Sequence, residues 1–112
     1  MFVNMTMHPI NLLTTEGEEI AVIEPSGQTV RLDEEWSPIG SFHINRQLVD
    51  LLHCEYSSGS IPEKVKGTIY IVSAMVANAF PERKDFIMVA KTVRDDNGRI
   101  IGCTAFARAT PN

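Results

Sequence analysis

Two arginines, Arg94 and Arg99, flank an Asn97-Gly98 pair. A guanidinium gives forked, charge-assisted hydrogen bonds to phosphate, so two that converge would make an anion site. Asn-Gly between apolar runs predicts a two-residue type I′ hairpin turn, because both positions need positive φ. That turn would set Arg94 opposite Ile101, Val93 opposite Gly102 and Thr92 opposite Cys103. Alternation along the strands would then put Arg94 and Arg99 on one face and Asp95 on the other. The ordinary alternative is that both arginines form surface ion pairs with acids such as Asp96, worth about 0–1 kcal/mol each.

Tyr70, Phe80, Phe86 and Trp36 are rings that can stack on a base, and equally the kind that fills a core or an interface. Asn78 can read a ribose or base edge, or bond the end of its own helix. His8, His43, His53, Cys54 and Cys103 show no zinc-knuckle or helical H-x-x-x-H spacing, so no metal site is expected. His53 and Cys54 are neighbours and would point to opposite faces of a strand. Pro25-Ser26-Gly27 reads as a turn, and neither a P-loop, a G-x-G-x-x-G nor a G-x-S-x-G elbow occurs. The expectation is a protein that is not an enzyme, with no catalytic residue and no cofactor.

These residues need elements to hold them. Residues 2–6, 10–14, 20–24 and 28–32 read as short strands separated by turns, a β-meander. Residues 33–38 read as a charged loop, 39–44 as a short strand, and 47–56 as a strand despite apolar spacing that also suits a helix. Residues 57–60 read as a loop. Thr68 to Val72 is β-branched or aromatic throughout, which favours a strand. Ser73 can cap a helix of about two turns that Pro81 ends. Residues 86–89 resume as a strand and continue after Lys91 into the hairpin. The expected fold is mainly β, a β-barrel or β-meander of short antiparallel strands with one short helix near 73–80.

The chain has 112 residues, which fits a single β-rich domain over 1–112. A chain this short buries a limited fraction of its surface, so a homodimer or higher homo-oligomer is expected. The net charge of −4 argues against a DNA or RNA partner held by phosphate contacts. Two cysteines without CxxC spacing suit free thiols in a reducing compartment. No apolar run approaches the roughly 20 residues that span a bilayer, and no signal-like opening is present, so no membrane contact and a cytoplasmic location are expected.

Val3-Asn4-Met5-Thr6-Met7-His8-Pro9-Ile10 resembles the V-N-L-T-P-H-P-I opening of a family of small phage and bacterial proteins. Pro25-Ser26-Gly27 with Val30-Arg31, the 67–73 stretch, Val93-Arg94-Asp95 and Gly98-Arg99-Ile100-Ile101-Gly102-Cys103 continue the pattern in order. Met5 and Met7 depart from it, where the pattern has leucine and proline. The set looks like the phage anti-Thoeris sponge proteins, small β-rich oligomers. The resemblance implies a host-cytoplasmic anti-defence protein that sequesters a cyclic ADP-ribose-type signal, or a cyclic oligonucleotide, without cleaving it. The candidate ligand set is Arg94, Arg99, Asp95, Asn78, Tyr70, Phe80 and Ser73. The alternative is a phage structural or protein-interaction module without a nucleotide ligand.

Overall fold

The computed structural model describes residues 1–111, and residues 57–59 by their backbone alone. It is mainly β with one short helix, as the sequence predicts. Contacts divide it into two compact units, Met1–Val30 with Pro62–Asn112, and Arg31–Ile61. The sequence reading takes 1–112 as one domain.

The first unit holds β1 (Phe2–Asn4), β2 (Ile10–Leu13), β3 (Glu19–Ile23), β6 (Ile69–Ile71), α1 (Ala74–Ala79), β7 (Phe86–Arg94) and β8 (Ile100–Ala107). The second holds β4 (Arg31–Ile44) and β5 (Gln47–Ser60). The first unit's sheet has six strands in the order β1-β6-β7-β8-β2-β3. Its two edge strands meet through a bridge between Asn4 and Pro25, so the sheet is nearly closed and barrel-like. Pairing is mixed, where antiparallel strands are expected: β1–β6, β6–β7 and β2–β8 run parallel. For β6–β7 the reason is the helix. A crossover through α1 returns the chain in the same direction, which a hairpin cannot do.

Local chemistry explains the elements. The Ser73 hydroxyl accepts from the Val76 N–H at 3.3 Å and caps α1, as expected. Phe80 closes the helix just before Pro81. Ile10, Ile71, Ile87 and Cys103 form the buried cluster, with Leu12, Ile23, Ile69 and Phe106 packed against it. Gly102 is required where β2 crosses β8, because a Cβ there would lie 2.7 Å from the Asn11 carbonyl oxygen.

The edge-to-edge closure is organised by Asn4, which is 1% exposed. Its Oδ1 accepts from the Thr6 N–H at 2.9 Å and the Thr6 hydroxyl at 2.6 Å. Its Nδ2 donates to the His8 carbonyl at 2.8 Å and the Ile23 carbonyl at 2.9 Å. Every donor and acceptor of the carboxamide is used, which is how a buried polar group becomes tolerable. The Asn4 carbonyl also receives the Ser26 N–H at 2.9 Å.

The second unit is one long hairpin. Residues 33–38 and 57–60, expected as loops, belong to its strands. Strand 47–56 is found as expected and is longer. Asn45 (φ 50°) and Arg46 (φ 68°) make its two-residue turn, the type I′ geometry expected instead at Asn97-Gly98.

The β7–β8 turn differs for a local reason. The Gly98 N–H donates to the Asp95 carbonyl at 3.0 Å and the Asp95 N–H to the Arg99 carbonyl at 2.8 Å. Of the turn residues only Gly98 has positive φ, at 80°. Asp95 Oδ1 accepts from the Asn97 N–H at 2.9 Å and the Arg99 N–H at 3.0 Å, and so selects this wider turn. Thr92 still faces Cys103 and Val93 still faces Gly102, but Arg94 faces Ile100.

Candidate functional site

The predicted ligand residues fall into two groups. Tyr70 pairs with Phe86 at the start of β7, and Arg94 ends that strand. Eight residues of strand separate them, roughly 25 Å. Tyr70, Phe80, Ser73 and Asn78 therefore lie at one end of the sheet, and Arg94, Asp95 and Arg99 at the other. A single small ligand does not reach both.

Each member of the first group already has a structural partner. Tyr70 is buried, and its hydroxyl donates to the Glu63 carbonyl at 3.0 Å. Its ring meets Phe86 edge-on at 6.1 Å, and Phe80 meets Phe86 likewise at 6.4 Å. The Phe86 ring is covered by the Arg83 guanidinium at 4.2 Å. Ser73 is the helix cap, and Asn78 Nδ2 donates to the Ala74 carbonyl one turn back at 2.9 Å.

In the second group, Arg94 Nη1 donates to the Gly98 carbonyl at 2.7 Å and Asp95 holds the turn. Arg99 is exposed. The register shift before Arg94 removes the simple alternation that placed both arginines on one face. A cleft of about 360 Å³ opens beside this turn, lined by Thr6, His8, Asn11, Ile100, Ile101 and Cys103 among others, and by neither arginine. Arg99 directly precedes Ile100, and Arg94 faces it. Burial pushes the Cys103 thiol above its ordinary pKa, so it behaves as a small apolar residue there.

The β4–β5 arm is the feature that sequence reasoning missed. Trp36, Ile39, Phe42, Ile44, Leu48, Val49, Leu51, Leu52 and Tyr56 are each at least 40% exposed. In sequence the signal was the run Leu48-Val49-Asp50-Leu51-Leu52 facing Ile39 to Ile44. It was legible as strands but gave no sign that both faces would be bare. Near the arm's base, Tyr56 titrates above its ordinary value, chiefly through the charge of Cys54 and more weakly that of Glu34. All three share one face, as the pairing of Glu34 with Tyr56 and Trp36 with Cys54 requires. On the other face His53 Nε2 lies 3.1 Å from Glu55 Oε1.

Among the described residues, no group of three or more His, Cys, Asp or Glu side chains is placed to hold a metal ion. No described helix is long and apolar enough to cross a membrane. No protein-family model, curated protein or solved structure matches the chain. The comparisons add nothing to the sponge-family resemblance.

Proposed function

We propose that this chain is a non-enzymatic protein-interaction module whose working surface is the β4–β5 arm. The observation that carries this is the row of large apolar side chains left bare on both faces of a two-stranded hairpin. Such a hairpin is marginal by itself in water, and a bare apolar surface of this kind marks a protein contact. Covering it would give the arm the burial that its own two strands cannot supply. A photoreactive amino acid placed at position 42 tests this in cells that make the protein. Discrete adducts with protein are expected on irradiation. Their complete absence at positions 42 and 49 alike would remove the reading.

A second reading is favoured by the cleft beside the β7–β8 turn: sequestration of a cyclic nucleotide, with Arg94 and Arg99 on its phosphates. One bond to Gly98 leaves Arg94 with further N–H donors for an anion. This version drops Tyr70, Phe80, Ser73 and Asn78 from the contact set, because they lie at the far end of β7. Calorimetric titration with a cyclic ADP-ribose-type nucleotide checks it. Binding that falls roughly 30- to 300-fold in Arg94→Ala would support it. Absence of binding by the unaltered protein would leave the interaction module alone.

A further inference from the structure

The arm is not uniformly apolar on either face. Residues paired across β4 and β5 share a face, and successive residues alternate. Near the base, Trp36 and Pro38 share one face with Leu52, Cys54 and Tyr56, while Glu35, Ser37, His53 and Glu55 share the other. A register shift between Pro38 and Gly40 then inserts Ile39 into β4. Beyond it, Phe42, Ile44, Val49 and Leu51 fall on the face that carried the acids. That face is therefore acidic at the base and apolar toward the tip, and the tip itself carries Arg46.

Resting on the reading of the arm as a docking surface, we infer that its occupant is a second copy of this chain. The two arms lie face to face and antiparallel, about a two-fold axis at the level of the Ser41–Asp50 pair. Three observations carry this. First, the patch is large enough to matter. Phe42, Ile44, Val49 and Leu51 are 55%, 54%, 42% and 40% exposed. Together they offer on the order of 300–400 Å² of apolar surface, the size of the largest patch on a typical monomer, which is often functional.

Second, the charges complement under that symmetry. Counted along β5 from Asp50, Arg46 lies four residues toward the tip, and His53 and Glu55 lie three and five residues toward the base. Four residues is about 13 Å of strand. Antiparallel stacking thus brings the tip of one arm over His53 and Glu55 of the other. The register also sets Glu35 directly opposite Glu55, a like-charge pair that His53 beside Glu55 offsets only when protonated and that a further cation would relieve. Arg46 of the second copy is that cation.

Third, Arg46 holds φ at 68° in a turn where glycine is the favoured residue. A bulky residue kept at a backbone cost points to a use for its side chain.

Sedimentation of the full chain, with variants, tests the inference. The unaltered protein should associate at micromolar concentration. Phe42→Ser with Val49→Ser should abolish association. Arg46→Glu and Glu55→Arg should each weaken it about tenfold or more, and the two together should recover most of it. Arg46→Gly separates this from misfolding: it relieves the turn, so the fold should be kept while association weakens. A monomer at about 100 μM, unaltered association in the single variants, or no recovery in the double variant would overturn the inference. The cross-linker at position 42 distinguishes the two levels. Adducts between two copies support the inference. Adducts only with a different protein overturn it and leave the arm a docking surface. No adduct at positions 42 and 49 alike removes both.

Discussion

The side-chain nitrogen of Asn4 donates to the Ile23 carbonyl at 2.9 Å, so a single carboxamide ties β1 to β3, the two edges of the six-stranded sheet. An open edge offers unpaired N–H and C=O groups to any other strand. Here one buried side chain, with the Ser26 N–H on the Asn4 carbonyl, closes the gap that backbone pairing leaves.

Asn4→Ala is therefore expected to cost about 2–4 kcal/mol, since it takes partners from the Ile23 and His8 carbonyls and the Thr6 N–H around a buried side chain. The midpoint of urea unfolding reads this directly. A shift worth less than about 1 kcal/mol would mean that the edges are held by something else.

The turn between β7 and β8 should depend on Asp95 as well as on glycine. Asp95→Ala loses two bonds to backbone N–H groups and is expected to cost about 1–2 kcal/mol. Gly98→Val forces a β-branched residue to a φ of 80° and should cost about 1–3 kcal/mol. Thermal melts of the two variants compare them. An Asp95→Ala protein as stable as the parent would restore the simpler Asn-Gly turn.

The Asp85 carboxyl is held below the usual carboxylate range, first by hydrogen bonds from the Arg83 guanidinium and against the effect of burial. Arg83 Nε donates to Oδ1 at 2.8 Å and Nη2 to Oδ2 at 2.7 Å. A depressed folded pKa means that the pair stabilises the fold fully above the unfolded value near 4 and loses that contribution as pH falls through the folded value. Asp85→Asn should cost about 1–3 kcal/mol at pH 7. It should also lose less stability than the parent when the pH is lowered below about 4. Denaturant melts at both pH values measure the difference, and parallel acid sensitivity in parent and variant would remove Asp85 from it.

The sequence made some of this legible. Strand 69–71, the Ser73 cap and the helix ended by Pro81 follow from composition and capping chemistry that act locally. Residues 33–38 were illegible as strand because four of the six are acidic or proline, and only pairing with a long β5 extends them. The Asn97-Gly98 turn misled because a nearby aspartate competes for the same backbone N–H groups. The ligand set drew on residue types without distances, and β7 turns out to hold Tyr70 and Arg94 apart. Asn4, visible as part of a V-N-x-T pattern, could not be read as a latch until Ile23 and Ser26 were beside it.

The first unit is built from both ends of the chain, with β1 beside β6, β2 beside β8 and the whole arm between them in sequence. Leu12 pairs early with Ala21 but finds its second partner only when Cys103 exists, and Phe2 finds its partner only when Ile69 does. On a ribosome the arm is finished while β1 still lacks β6 and β2 still lacks β8. Until β8 has been made, the growing chain displays bare strand edges and an apolar hairpin together. Non-local pairing of this kind is slow, and slow folding with exposed edges invites wrong partners. The order in which this protein emerges, as much as its finished contacts, sets how much of it reaches the native state.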